Sequence, residues 1–230
     1  TASFVSNSLE HDEMLKFLEA ESQNELISKG YYKIFAEGLL KKVAELLNIK
    51  RVNAWVIKEN PKRIENISSF SKEKNPAIYI ENDLYENDFP NYFSYLKENK
   101  VIICNDVEKS KEYEELVELY LKPNNIKSIL DIPIRSGDQL YGVVCFESTI
   151  SKKWDTQEIQ FANSITQLLS LSIESNEKAI KNDLLNKSLK RSETLLAEIH
   201  HRVKNNLAII SSIIQFEILN NTDKFEDRAL

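Results

Sequence analysis

Glycine is scarce, with four residues in a chain of 230. No Gly-rich loop is available to cradle a phosphate, and neither the dinucleotide fingerprint GxGxxG nor a P-loop is present. Cysteine is scarcer still. Cys104 and Cys145 stand singly inside apolar, strand-like runs without a CxxC pair, so both read as buried, reduced thiols rather than zinc ligands or a disulfide. No stretch reaches the roughly 18 to 20 apolar residues that span a bilayer, and no signal peptide opens the chain. Positive charge is not in excess: the formal net charge of −6 argues against a broad nucleic-acid surface. These absences predict a cytoplasmic protein with no membrane span, no nucleic-acid partner and no metal of its own. The first residue is Thr1 rather than Met, which suggests a piece of a longer protein.

Apolar residues are plentiful at 42%, enough for a sizeable core. Leu9, Met14, Leu15, Leu18 and Leu26 recur at helical spacing over residues 8 to 29, ahead of Gly30. Ile34, Phe35, Leu39, Val43, Leu46 and Leu47 mark a stronger amphipathic helix that Asn48 would end. The period then falls to two. Val52, Ala54 and Val56 alternate with Asn53, Trp55 and Ile57, and a second strand over 64–71 follows the turn Asn60-Pro61. Residues 77–80 read as a short strand, then an acidic loop precedes an aromatic helix through Tyr92, Phe93, Tyr95 and Leu96. Further strands are expected over 101–104, 128–134 and 140–147, the last two joined by a hairpin turn at Ser136-Gly137-Asp138. A helix over 112–121 lies between them. Hairpin-linked strands with helices gathered at both ends predict an α+β fold, an antiparallel sheet flanked by helices.

Asp155 with Glu158 three residues on has the form of a capping box. From Thr156 to Leu219 neither Pro nor Gly occurs, which predicts one long helix or coiled coil. Leu185, Leu189, Ser192, Leu196, Ile199, Val203, Asn206, Ile210 and Ile213 follow alternating steps of four and three, an a/d seam that predicts pairing with a second copy of the chain. Ile173 and Ile180 are out of phase with that seam, so a stutter is expected near residues 181–188, where the helix pair could re-register. Asn220-Asn221-Thr222-Asp223 reads as a turn that starts a second, incomplete helix.

Two of the three histidines are adjacent, in Glu198-Ile199-His200-His201-Arg202-Val203-Lys204-Asn205-Asn206-Leu207. With Ile199 at d and Val203 at a, His200 falls at e and His201 at f, opposite the seam. An imidazole there is free to meet large partners, and its neutral form can attack phosphorus. Arg202 and Lys204 put positive charge where a phosphoryl group would arrive. The bland alternative is a solvated helix face, and metal binding by adjacent helical histidines is geometrically poor.

This run, with Ile209-Ile210-Ser211-Ser212-Ile213-Ile214-Gln215 after it, resembles the H-box of the histidine kinase group related to the HWE kinases, which carry an HRxKN core on the first helix of a dimerising hairpin. The resemblance spans about 20 residues. It implies that His201 is the phosphoacceptor and His200 only its neighbour, with Lys204 at the basic position and Leu207 at the Leu position. Many histidine kinases have an acidic residue directly after the acceptor; Arg202 stands there in this chain. Glu198, one turn earlier, is the candidate base, and Asn205 stands where related kinases orient water for dephosphorylation of a response regulator. The resemblance also implies that ATP and magnesium are held by a kinase domain outside this chain, and that a receiver domain takes the phosphoryl group.

Asp88-Phe89-Pro90-Asn91-Tyr92-Phe93, the segments 126–135 and 142–147, and Lys153-Trp154-Asp155 through Ala162 resemble a subtype of GAF domain over about residues 25 to 175. That implies a small-molecule pocket on one face of an antiparallel sheet, with Trp55, Phe70, Tyr92, Phe93 and Tyr120 as candidate lining. The NKFDE signature of cyclic-nucleotide GAF domains is missing, and the Lys224-Phe225-Glu226-Asp227 string lies outside the domain. Cys104 is a remote candidate for bilin attachment. The expected organisation is a first helix over 1–24, the sensor domain over 25–175, a signalling helix over 176–197 and a partial phosphoacceptor hairpin over 198–230. The alternative function is a GAF binding or dimerisation module with a plain coiled-coil extension.

Overall fold

The period-two stretches form a six-stranded antiparallel sheet in the order β3-β2-β1-β6-β5-β4. The structure is a computed structural model that describes residues 2–72 and 83–226, with side chains over 10–72 and 83–216. Along the chain come α1 (Ala2–Ser22), α2 (Glu25–Ser28), α3 (Tyr32–Leu46), β1 (Arg51–Glu59), β2 (Lys62–Ser71) and β3 (Leu84–Tyr85). They are followed by α4 (Pro90–Glu98), β4 (Ile102–Cys104), α5 (Glu114–Leu116), β5 (Ser128–Ser136), β6 (Gln139–Ser148) and α6 (Thr156–Glu226). The chain divides into two units, Thr1–Lys178 and Ala179–Leu230.

Both faces of the sheet are covered, and the pleat sorts the side chains between them. Val52, Ala54 and Val56 of β1, Leu130, Ile132 and Ile134 of β5, and Val144 and Phe146 of β6 face a core with Phe35, Leu39 and Val43 of α3 and Phe161, Ile165 and Leu169 of α6. Trp55, Ile129, Val143 and Cys145 point the other way and pack with Tyr92, Phe93 and Leu96 of α4 and with Leu116 and Tyr120. Pro133 fits inside β5 because β4 ends opposite Asp131, so no ladder bond toward β4 is lost there.

The local signals act as their chemistry requires. Asp155 and Glu158 form the reciprocal box, with Glu158 N donating to Asp155 Oδ1 at 2.8 Å and Asp155 N donating to Glu158 Oε2 at 3.1 Å. Asn48 adopts φ 49° after α3, and Gly137 takes φ 55° in the two-residue β5–β6 turn. The single helix expected over 8–29 is two, because Asn24 breaks it: its Oδ1 accepts from Leu26 N at 3.0 Å and caps α2. The helix expected over 112–121 is shorter than expected. After α5 the chain widens into a π-turn, Val117–Leu121, closed by Lys122 N donating to Val117 O at 2.9 Å. β3 lies in the stretch read as an acidic loop, and the strand expected over 77–80 falls outside the described residues.

One expectation for the long helix is corrected. The turn expected at Asn220-Asn221-Thr222-Asp223 is helical, since α6 continues to Glu226. The helix runs unbroken through the expected change of phase. Phe161, Ile165, Leu169 and Ile173 are buried against their own sheet, whereas every described side chain from 177 to 216 is exposed. Ile173 is out of phase because its face serves the domain core rather than the seam.

Gly142 shows how tightly the central pair is built. A Cβ there would lie 2.0 Å from Trp55 O on β1. Gly142→Ala is expected to lower unfolding free energy by about 1–3 kcal/mol through overpacking. Gly38→Ala, on an open face of α3, is expected to raise it by about 0.5–1 kcal/mol. Urea unfolding of the two variants checks both signs.

Candidate functional site

The sheet face opposite α3 and α6 carries a set of polar residues that strand alternation places together. Arg51 and Asn53 of β1, Asp131 of β5 and Glu147 of β6 are all at most 3% exposed. Registers of β1 with β6 and of β5 with β6 set Asp131 beside Cys145, and Cys145 beside Asn53. Above them lie Tyr92 from α4, Tyr113 just before α5 and Tyr120 from the π-turn.

Two hydrogen-bonded groups result. In the first, Tyr120 Oη donates to the Glu147 carboxylate, 2.7 and 2.9 Å from its two oxygens, and Asn53 Nδ2 donates to Tyr120 Oη at 3.1 Å. Arg51 lies against Glu147, with Nε 3.3 Å from Oε2, and its Nη1 donates to Asn124 Oδ1 at 2.5 Å. In the second, Tyr92 and Tyr113 both donate to Asp131 Oδ2, at 2.8 and 3.0 Å. Asp131 Oδ1 has no hydrogen-bond partner among the described residues. Burial pushes the Asp131 carboxyl up to about 6, against the pull of Cys145 and the two tyrosines. Burial also pushes Glu147 up to about 7, although Arg51 opposes it.

These groups border a cavity lined by Trp55, Tyr92, Tyr113, Tyr120, Asp131 and Glu147 among others. The cavity volume open to a water-sized sphere is about 20 Å³. The structure thus brings Trp55, Tyr92 and Tyr120 to one wall system, as the pocket reading requires. Phe93 packs in the same core but does not border the cavity. Phe70 is a correction: it pairs with Val52 and packs on the opposite, helix-covered face. Tyr113, Asp131 and Glu147 also border the cavity, and Arg51 and Asn53 adjoin it through Glu147 and Tyr120 without lining it. The signal for the four strand residues is a charged or amide side chain at alternate positions of otherwise apolar strands, and Tyr113 carries none.

Both cysteines are buried and free. Cys104 pairs with Ile129 on β5, while Cys145 lies on β6 beyond it. Two strand spacings of about 4.8 Å separate them, which puts a disulfide out of reach. Among the described residues no group of three or more His, Cys, Asp or Glu gathers as metal ligands.

The second candidate site is on α6 within Ala179–Leu230. His200, His201, Lys204 and Asn205 are exposed. Glu198, expected to face His201, instead accepts from Arg202 Nε at 3.0 Å and Nη2 at 2.5 Å. That pair is half exposed or more on both sides, so it contributes only about 0.3–0.5 kcal/mol and yields readily to another partner. The apolar seam is bare: Leu185, Leu189, Leu196, Ile199, Val203, Ile210 and Ile213 are each at least 50% exposed. Beyond Asn206 the apolar face widens to e and g with Leu207, Ile209, Ile214 and Phe216. A face that wide suits packing against more than one helix, as in a bundle.

The chain belongs to the GAF domain family, whose family model matches residues 35–173. A histidine kinase family model, HisKA_2, matches residues 198–230. Together the two matches support a GAF-containing histidine kinase. Among solved structures, the GAF domain of a phosphoenolpyruvate-protein phosphotransferase from Coxiella burnetii is 16% identical, covering 74% of this chain and 98% of that one at a TM-score of 0.60. The blue-light absorbing PixJ GAF domain of Thermosynechococcus elongatus is 18% identical, covering 67% and 91% at 0.56. The phycoerythrobilin-bound GAF domain of a cyanobacterial phytochrome is 16% identical, covering 74% and 97% at 0.58. Identities this low establish the fold alone. No curated protein matches the chain, and no described helix is long and apolar enough to cross a membrane.

The raised carboxyls of Asp131 and Glu147 favour the protonated, folded state. Their contribution to stability is complete below the unfolded values near 4 and is lost as pH rises through about 6 and 7. The urea midpoint is expected to fall between about pH 4 and 7, and Asp131→Asn to remove roughly 2 kcal/mol of that fall. A wild-type midpoint that stays flat or climbs across this range contradicts the assignment.

Proposed function

We propose that the chain is the sensory and phosphoacceptor portion of a two-component histidine kinase, in which the GAF domain controls phosphorylation of His201. The observation that carries this reading is the position of His201. It is exposed on a helix matched by the histidine kinase model, at the position opposite a bare apolar seam.

In the proposed reaction a neutral His201 ring nitrogen attacks the γ-phosphorus of ATP. The N–P bond forms as the bond to the β,γ-bridging oxygen breaks, and ADP leaves. The other ring nitrogen gives up its proton. Glu198 takes it after releasing Arg202, a small cost for so exposed a pair. Arg202, once freed, and Lys204 offset the charge of the arriving phosphoryl group. ATP and magnesium come with an ATP-binding domain that docks on the exposed face. A receiver-domain Asp of a response regulator then takes the phosphoryl group, and Asn205 orients water when the regulator is dephosphorylated. The seam pairs with a second copy, since burial of each Leu or Ile contributes about 1.5–3 kcal/mol. This machinery belongs in the cytoplasm, where ATP is available.

The cavity beside Asp131 is the proposed sensory site. A tetrapyrrole like that of the cyanobacterial neighbours does not fit it. The open space is about 20 Å³, and Cys104 is buried without bordering the cavity. A smaller ligand that moves β6, the strand that leads into α6 and carries Glu147, is the fitting input.

Two outcomes test the proposal. With the kinase domain supplied in trans and labelled ATP, the chain is expected to acquire acid-labile phosphate that His201→Ala abolishes and His200→Ala largely retains. Label surviving in His201→Ala overturns the acceptor; no label from an active kinase domain favours the plain binding-module alternative. Ile199→Glu combined with Ile210→Glu is expected to shift the chain from dimer to monomer in sedimentation equilibrium, with near-unchanged stability of the GAF domain.

A further inference from the structure

Two buried charged side chains on this sheet face keep an atom without a hydrogen-bond partner among the described residues, Arg51 Nε and Asp131 Oδ1, and only Asp131 also lacks an ion pair. Arg51 lies beside Glu147 and donates to Asn124, so that cation is committed. Asp131 is 1% exposed, makes no ion pair among the described residues, and spends Oδ2 on two tyrosine hydroxyls. Its Oδ1 has no hydrogen-bond partner among them. The Cys145 thiol is near enough to favour the ionised carboxylate, yet it does not meet Oδ1 in hydrogen-bonding geometry. An uncompensated buried carboxylate costs several kcal/mol, and the ordinary remedy is a cation with N–H donors.

The walls around it match such a guest. Trp55, Tyr92, Tyr113 and Tyr120 border the same cavity, and aromatic faces attract cations. The open volume of about 20 Å³ holds one water-sized group and little more. Hard metal cations need about six or more oxygen ligands, whereas this cavity offers one free carboxylate oxygen among rings.

We propose that this cavity binds ammonium or a short primary alkylammonium ion, with Asp131 Oδ1 accepting an N–H bond and the aromatic rings enclosing the rest. The inference rests on reading the cavity as the sensory site, and it names the ligand class. Tyr92 and Tyr113 hold the carboxylate in place, so they are positioning residues, while Trp55 and Tyr120 close the sides.

The test uses the full chain with ammonium, methylammonium, potassium and methanol as probes at matched ionic strength. Ammonium and methylammonium are expected to raise the Tm saturably, and potassium and methanol to leave it unchanged. Asp131→Asn is expected to remain folded by circular dichroism and to weaken ammonium binding at least about tenfold, the loss of one charged hydrogen bond. Nuclear Overhauser contacts from bound ammonium protons to the Trp55 and Tyr113 rings give a second readout that does not depend on how the variant folds. Equal responses to potassium and ammonium, or ammonium binding unchanged in folded Asp131→Asn, overturn the proposal. A saturable methanol response without an ammonium one overturns the cation class while keeping the cavity as a ligand site. Ammonium binding that leaves His201 labelling unchanged upholds this site and removes the sensory-control reading instead.

Discussion

Burial of the sheet on both faces is the constraint on which the first unit depends. A pleated strand sends alternate side chains to opposite faces. When helices cover both, every residue of β1, β5 and β6 in the central rows is buried, including those that are polar. One face resolves this largely with hydrocarbon. The other takes the polar remainder, and the hydroxyls of Tyr92, Tyr113 and Tyr120 are brought down from α4, the start of α5 and the π-turn to satisfy it. The cavity lies where that satisfaction is incomplete.

The same logic in another period governs α6. Its first turns present Phe161, Ile165, Leu169 and Ile173 to the sheet, so the helix is a core element of the GAF domain. Ser170 Oγ donates to Arg135 O at 2.8 Å and fixes its rotation on the hairpin. From residue 177 onward no described side chain is buried, and the apolar positions adopt a different phase. A continuous helix thus carries two apolar faces in succession, the first spent within the chain and the second left for partners.

Much of this could be read before any coordinates. The two periodicities located the elements, and the capping box at Asp155 and the Gly137 turn are local chemistry that needs no tertiary context. What misled were positions where nearby polar groups compete. Asn24 splits a helix because its side chain caps the next turn. Asn220-Asn221-Thr222-Asp223 has turn composition, yet it continues the helix. Phe70 is aromatic and close in sequence to the pocket strands, but its pairing with Val52 sends it to the other face.

By itself the sequence determined the α+β class and the heptad position of His201, because both follow from periodicity, and it carried the GAF and histidine kinase segments through the resemblance of short runs to those families. Only the tertiary structure decided which side chains share the cavity. Asp131 and Glu147 come from two strands, with Arg51 and Asn53 of a third beside them, and their meeting depends on register, which no local pattern encodes. Local helix chemistry, not tertiary packing, decided that Glu198 turns to Arg202 rather than to His201. An i,i+4 guanidinium offers two charged donors, and a neutral imidazole offers one.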